Sequence, residues 1–331
     1  MEPIYHGGDI GAARAQFPAA PQPWIDLSTG INPLPYPVGR LDPMAWARLP
    51  AADALERLEA AAAEAYGAAA SGLVAAVPGT QSLIQLLPRL LPARRVAVLG
   101  FGYQEHPESW RRAGAELRIA TDAAELVDSR PDVAVIVNPN NPDGRRIAVA
   151  ELEAIAAQVG TLVVDEAFMD LCPPEASLVP RLPPAGCVVL RSFGKTYGLA
   201  GLRLGFAVAA PDVAHRLKAM LGPWAVSGPA IAIGTAALRD RDWLERTRRR
   251  TERAAARLDR LLERAGLRVV GGTALFRLAA HDDAPEIFAA LGRAGILVRR
   301  FPARPHWLRF GLPAGAPAWD RLERALPRTG A

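Results

Sequence analysis

The feature that most limits what this chain can fold into is a succession of short, nearly continuous apolar runs separated by helical patterns. β-Branched residues concentrate at Val96–Leu99, Val133–Val137, Leu162–Val164, Val188–Leu190 and Leu204–Val208. Helical periodicity lies between or beside them, as at Gln81–Leu90 and Val149–Val159. Strands that are apolar on both sides and joined through helices belong in a largely parallel sheet covered on both faces. In such a sheet a ligand sits beyond the carboxyl ends of the strands. The unusual polar residues fall at those ends: Asn138 to Asn141, Asp165, and Ser192 to Lys195.

From about Gly228 to Ala265 the pattern becomes long and helical. It is followed by strand-like runs at Leu267–Val270, Ala274–Leu278, Ile296–Val298 and Trp307–Phe310, with a helix near Ala284–Ala294. This tail predicts a second, smaller α+β domain. No internal repeat or low-complexity linker is visible, and the proline-rich stretch Pro33 to Pro50 reads as an ordered loop.

Half of the 331 residues are hydrophobic and 22% are charged, as in an ordinary globular protein. No apolar run approaches the ~18 residues of a membrane helix, so no membrane partner is expected. Met1 to Asp9 lack the basic start and apolar stretch of a secretory signal. Cys172 and Cys187 make neither a disulfide framework nor a metal-ligand cluster, and the cytoplasm is the expected compartment. The net charge of +5 does not point to nucleic acid, because the arginines are scattered. One run, Arg246 to Arg253, is interleaved with Glu252 and reads as a solvated helix face, with a phosphate-binding helix as the alternative.

Lysine stands only at positions 195 and 218, which leaves 37 arginines among the 39 basic residues. A lysine kept in such a chain points to chemistry that arginine cannot perform, such as forming an imine. Lys218 lies in an amphipathic helical pattern, Val213 to Lys218, and reads as surface. Lys195 lies between a strand and glycines, in Ser192-Phe193-Gly194-Lys195-Thr196-Tyr197-Gly198. A nucleotide-hydrolase phosphate loop is excluded there, because its first glycine would fall at Val189.

Four further segments accompany this lysine: Val163-Val164-Asp165-Glu166-Ala167-Phe168, Asn138-Pro139-Asn140-Asn141-Pro142-Asp143-Gly144, Gly79-Thr80-Gln81, and Phe101-Gly102-Tyr103. Arg203 follows in Gly201-Leu202-Arg203-Leu204-Gly205. Together they resemble the class I/II aminotransferase superfamily of pyridoxal-5′-phosphate (PLP) enzymes, over residues 25 to 315. The resemblance implies an α/β chain of PLP-dependent transferase fold type I, with a mostly parallel sheet in a large domain and a smaller α+β C-terminal domain. It implies that Lys195 carries the cofactor and that Asp165 pairs with its ring nitrogen. Ser192, Arg203 and the loop Gly79, Thr80, Gln81 would hold its phosphate. Tyr103 would stack on the ring and Asn141 would bond the ring hydroxyl. Two positions depart from the family: Leu49 and Phe168 stand where many relatives have tyrosine. As bare residues, Tyr103 also reads as a core aromatic and Asn141 as a turn residue.

Arg309, in Trp307-Leu308-Arg309-Phe310-Gly311, matches the family position that grips a substrate carboxylate, and Arg299 is a second candidate for an anionic substrate, although each also reads as a surface arginine. His6-Gly7-Gly8-Asp9 and Asp26-Leu27-Ser28-Thr29-Gly30-Ile31-Asn32-Pro33 resemble the opening of the threonine-phosphate decarboxylases of cobalamin biosynthesis, as does Pro223-Trp224-Ala225-Val226-Ser227. That resemblance implies a PLP-dependent carboxy-lyase acting on a small phosphorylated amino acid, with His6, Gly7, Gly8 and Asn32 also near the substrate. A plain turn at Gly7 and Gly8 is the other reading. Histidinol-phosphate aminotransferases share most of these residues and are the alternative. A catalytically silent relative, such as a regulator's effector domain, is disfavoured by the intact Lys195–Asp165 pair. The resemblance further implies a homodimer, no metal, and three segments: an N-terminal arm and substrate-gating segment at 1–40, a large PLP-binding domain at 41–228, and a connecting helix with a small C-terminal domain at 229–331.

Overall fold

The structure, a computed structural model, describes residues 6–182 and 186–327. Twelve strands run in chain order among these residues. They are β1 (Ile25–Leu27), β2 (Val74–Val77), β3 (Arg95–Leu99), β4 (Glu116–Ala120), β5 (Val133–Val137) and β6 (Thr161–Asp165). Then come β7 (Cys187–Ser192), β8 (Gly205–Ala209), β9 (Arg268–Thr273), β10 (Phe276–Ala280), β11 (Ile296–Arg300) and β12 (Trp307–Gly311). The chain divides into two compact units. One comprises Tyr36–Asn141 and Arg145–Leu244; the other comprises Met1–Pro35, Pro142–Gly144 and Glu245–Ala331.

The first unit holds a seven-stranded sheet in the order β2-β8-β7-β6-β5-β3-β4. All neighbours are parallel except β8, which runs against both β2 and β7. Its strands are apolar on both faces because both faces are covered. Val164 and Val189 join a core with Leu58 and Leu152, while Val163 and Leu190 join another with Leu83 and Trp110. The reversed strand fixes the site. Register pairs Val77 with Gly205 and Gly205 with Ser192, so the start of β8 lies level with the ends of β2 and β7. Farther along, Leu190 pairs with Asp165 and Asp165 with Val137. One edge of one sheet therefore carries the ends of the segments singled out above.

The second unit holds a five-stranded sheet, β1-β11-β12-β10-β9, in which only β1 and β11 are parallel. Leu258, Phe288, Val298, Phe310 and Trp319 build its core. The short segment Pro142–Gly144 belongs here because glycines let two backbones meet: a Cβ on Gly144 would lie 1.9 Å from the Gly272 carbonyl oxygen. Lys218 is not a plain surface residue. Its Nζ bonds the buried Glu59 carboxylate at 2.6 Å, and Glu59 in turn accepts from the Ala76 amide.

Candidate active site

Lys195 sits on a single helical turn, Phe193–Thr196, that begins where β7 ends. Four residues cannot hold a helix by themselves. This turn is held by an aromatic stack instead: Phe193 lies on Tyr197 at 4.2 Å and 9°, and Tyr197 on Trp243 at 5.3 Å and 11°. Tyr36 closes the stack edge-on, and its amide donates to the Tyr197 carbonyl. The turn thus presents Lys195 from a rigid base, with Nζ 5.9 Å from the centre of the buried Phe168 ring.

Asp165, the last residue of β6, is buried, and its Oδ2 lies 2.8 Å from His106 Nε2. His106 is fully buried on the helix Glu105–Arg112, and its Nδ1 has no hydrogen-bond partner among the described residues. A carboxylate only accepts, so the imidazole proton stands on Nε2 and donates to Asp165. A second bond, from the Ala167 amide to Oδ1 at 3.0 Å, orients the carboxylate further. Sequence reasoning missed His106, because one histidine at the start of a helix carries no distinctive pattern. Only the fold brings it 59 residues back onto Asp165.

The Gly79-Thr80-Gln81 segment opens the helix Thr80–Leu90, whose N-terminus has no side-chain cap. Such an end favours an anion. Gly79 has φ of +82°, and a Cβ there would sit 2.8 Å from Arg203 Nη2. Glycine therefore lets the guanidinium close over this turn. Gly205 plays the matching part on β8, since a Cβ there would lie 2.8 Å from the Thr80 amide nitrogen. Ser192 completes the cluster in the row shared with Gly205. Arg203, Gly79, Thr80 and Ser192 supply the donors that a phosphate requires.

The Tyr103 hydroxyl donates to Gln81 Oε1 at 3.0 Å, and Gln81 Nε2 donates to Glu105 at 2.7 Å. The half-buried ring is thereby tied to the Gly79–Gln81 turn. The Asn138 to Asn141 loop reaches the same place through Asn140, whose Nδ2 donates to the Phe101 carbonyl at 3.1 Å. The room left at Gly102 is taken by Asn140, whose Oδ1 lies 3.2 Å from where a Cβ would stand. The first unit thus holds Lys195, Asp165, Ser192, Arg203, Gly79, Thr80, Gln81, Tyr103 and Asn141. An amine, a braced carboxylate, an anion cradle and an anchored aromatic ring fit PLP in donor set and chemistry. No group of side chains among the described residues could hold a metal ion.

The second unit gathers the other set. Arg309 is buried, its Nη2 donates to the Ser28 carbonyl at 2.7 Å, and it pairs across the sheet with Arg299. Burial and the Arg299 charge both disfavour its charged form, with Asp26 opposing them. Ser28 also receives the N-terminal segment. The Gly8 amide donates to Ser28 Oγ at 2.7 Å, and a Cβ on Gly7 would lie 2.4 Å from Ser28 O. Ser28 itself is fixed by Asp26, to which its amide and hydroxyl both donate. Asn32 is buried, and its Oδ1 accepts from the Leu34 amide. Gly7, Gly8 and Arg309 therefore meet on one residue that the sequence reading quoted but did not place in the site.

The fold and this set of residues define a PLP-type transferase architecture, and the chain belongs to the family described as Aminotransferase class I and II, which matches residues 23–325. Within it, a threonine-phosphate decarboxylase from Sinorhizobium sp is 45% identical, with 98% of each chain covered. A threonine-phosphate decarboxylase from Pseudomonas aeruginosa is 43% identical over 98% of this chain and 97% of its own. Among solved structures, histidinol-phosphate aminotransferase from Sinorhizobium meliloti, in complex with pyridoxal-5′-phosphate, has a TM-score of 0.82 at 21% identity. The match covers 98% of this chain and 94% of that one, and it establishes the common fold.

Proposed function

We propose that this chain is a PLP-dependent carboxy-lyase that removes CO₂ from L-threonine O-3-phosphate, giving (R)-1-amino-2-propanol O-phosphate for cobalamin biosynthesis. The observation that carries the reading is the 45% and 43% identity, over nearly the whole chain, to two threonine-phosphate decarboxylases. When bound, PLP supplies an electron sink conjugated with the substrate Cα. Lys195 Nζ is the group that attaches it. Asp165, braced by His106, keeps a proton on its ring nitrogen. Gly79, Thr80, Gln81, Ser192 and Arg203 take its phosphate, Tyr103 supports its ring, and Asn141 bonds its ring oxygen.

Arg309, with Arg299 and Asn32, takes the substrate carboxylate, and His6, Gly7 and Gly8 take the substrate phosphate. With PLP bound, the grip of Arg309, Arg299 and Asn32 on the carboxylate would direct bond breaking at Cα to CO₂ loss rather than to loss of the α-hydrogen. Lys195 Nζ, set free when the substrate amine takes its place on the cofactor, would return a proton to Cα once CO₂ has left. Phe168 offers no hydroxyl, which leaves Asn141 as the only one of the two family positions able to bond the ring oxygen.

Cytoplasmic residence belongs to the same reading and is supported by two cysteines present as free thiols. A homodimer is supported by the exposed apolar side chains Met44, Trp46 and Leu49, beside a cleft also lined by Ala45 and Ile231. The deciding experiment incubates the PLP-loaded protein with L-threonine O-3-phosphate and no keto acid. Steady release of CO₂ and aminopropanol phosphate is expected. Glutamate formed instead from histidinol phosphate and 2-oxoglutarate would make it an aminotransferase. Lys195→Ala should abolish the yellow colour of the loaded protein, and a variant that stays yellow after dialysis would sink the cofactor assignment.

A further inference from the structure

Behind the sheet edge that carries Asp165 and Ser192 lies a charged cluster that the proposed chemistry does not use. Glu166 follows Asp165, Arg191 precedes Ser192, and alternation along a strand turns both to the opposite face. Glu166 is fully buried, Arg191 is 4% exposed and Asp170 is 8% exposed. Arg191 Nη1 bonds Glu166 at 2.8 Å, and its Nη2 bonds Asp170. Glu166 also accepts from Ser177 Oγ at 2.6 Å and from the Leu178 amide at 2.7 Å. The guanidinium lies 4.3 Å from the centre of the buried Tyr66 ring.

A buried ion cluster is a poor source of stability, because desolvation offsets most of its attraction. Its location suggests another use. The Glu166 amide donates to the Leu190 carbonyl at 2.9 Å, the last backbone bond between β6 and β7 before the strands part. One residue farther on, the Arg191 fork takes over from the backbone ladder. It grips Glu166 at the strand end and Asp170 in the following turn. Lysine could supply the charge, but its single flexible nitrogen lacks the rigid planar fork that holds two carboxylates at a fixed separation.

We infer that Arg191 is a positioning residue: its fork fixes the spacing between Asp165 and the Ser192–Lys195 turn, and so sets the cofactor's nitrogen partner against its attachment point. This inference rests on the PLP reading. Wild-type protein is first titrated with PLP, and failure to take it up would remove that reading. The clamp is tested separately on the cofactor-free chain by amide hydrogen exchange. In Arg191→Lys, exchange at the Glu166 and Asn138 amides should rise at least about tenfold. The PLP dissociation constant should rise by a similar factor, and the circular dichroism of bound PLP should change. Asp170→Asn, which keeps the Glu166 contact, serves if the lysine variant does not fold, and it should shift the same readouts in the same direction. Leu126→Ala, a cavity in the same core, is the control for general destabilisation. Wild-type exchange and cofactor affinity in Arg191→Lys would overturn the inference, as would equal cofactor weakening in a Leu126→Ala protein of matched melting temperature.

Discussion

At the scale of single residues, the site is built by what side chains leave out as much as by what they supply. Gly79 combines a left-handed backbone with the close approach of Arg203. Alanine there is strained by its φ and blocked by the guanidinium, at a cost of about 1–3 kcal/mol. Gly79→Ala should weaken PLP binding while far-ultraviolet circular dichroism stays native, and unchanged affinity would remove the phosphate cradle. Arg309 poses the converse case. Burial beside Arg299 disfavours its charged form in the folded chain, yet a guanidinium keeps its proton at any pH a protein tolerates. The downward shift is therefore a cost of holding charge, present in the ligand-free protein and relieved by an anion. Arg309→Met should leave the ligand-free melting temperature level or higher. It should also raise KM for the amino acid about 100-fold, or roughly 3 kcal/mol. A large loss of stability with an unchanged KM would contradict that account.

Elements were legible in proportion to how much of their identity is local. β5 and β6 stand out as valine-rich runs, and the tail strands β10 to β12 are visible because turn residues punctuate them. β2 is Val-Ala-Ala-Val, which has little strand preference of its own and becomes a strand because β8 pairs with it. β1, at three residues, is too short to show any period. The reversal of β8 is a property of the connection, so Arg203's arrival beside Gly79 was implied only by resemblance. The Lys195 turn depends likewise on distant rings. Trp243→Ala removes one layer of the stack and should cost about 3–5 kcal/mol in denaturant titrations. It should also loosen Lys195, read as a shifted absorption band of the bound cofactor. A change below about 1 kcal/mol would mean that the stack does not support the turn.

For the molecule as a whole, the exposed Trp46 and Leu49 are the features most at odds with an isolated chain. Leu49→Asp should convert a dimer to a monomer in light scattering, with lower PLP affinity at low protein concentration. A wild-type protein that is monomeric at micromolar concentration would exclude the pairing. The pairing of β1 with β11 has a consequence in time. Leu27 meets Val298 in that register, about 270 residues later in the chain. At a synthesis rate of about 5–20 residues per second, the ribosome needs roughly 15 to 55 s to make the partner strand. Throughout that wait Trp24, Ile25 and Leu27 have no sheet to enter, and every strand of the seven-stranded sheet is made before it ends. The growing chain must keep its earliest strand out of aggregates until its latest portion leaves the ribosome.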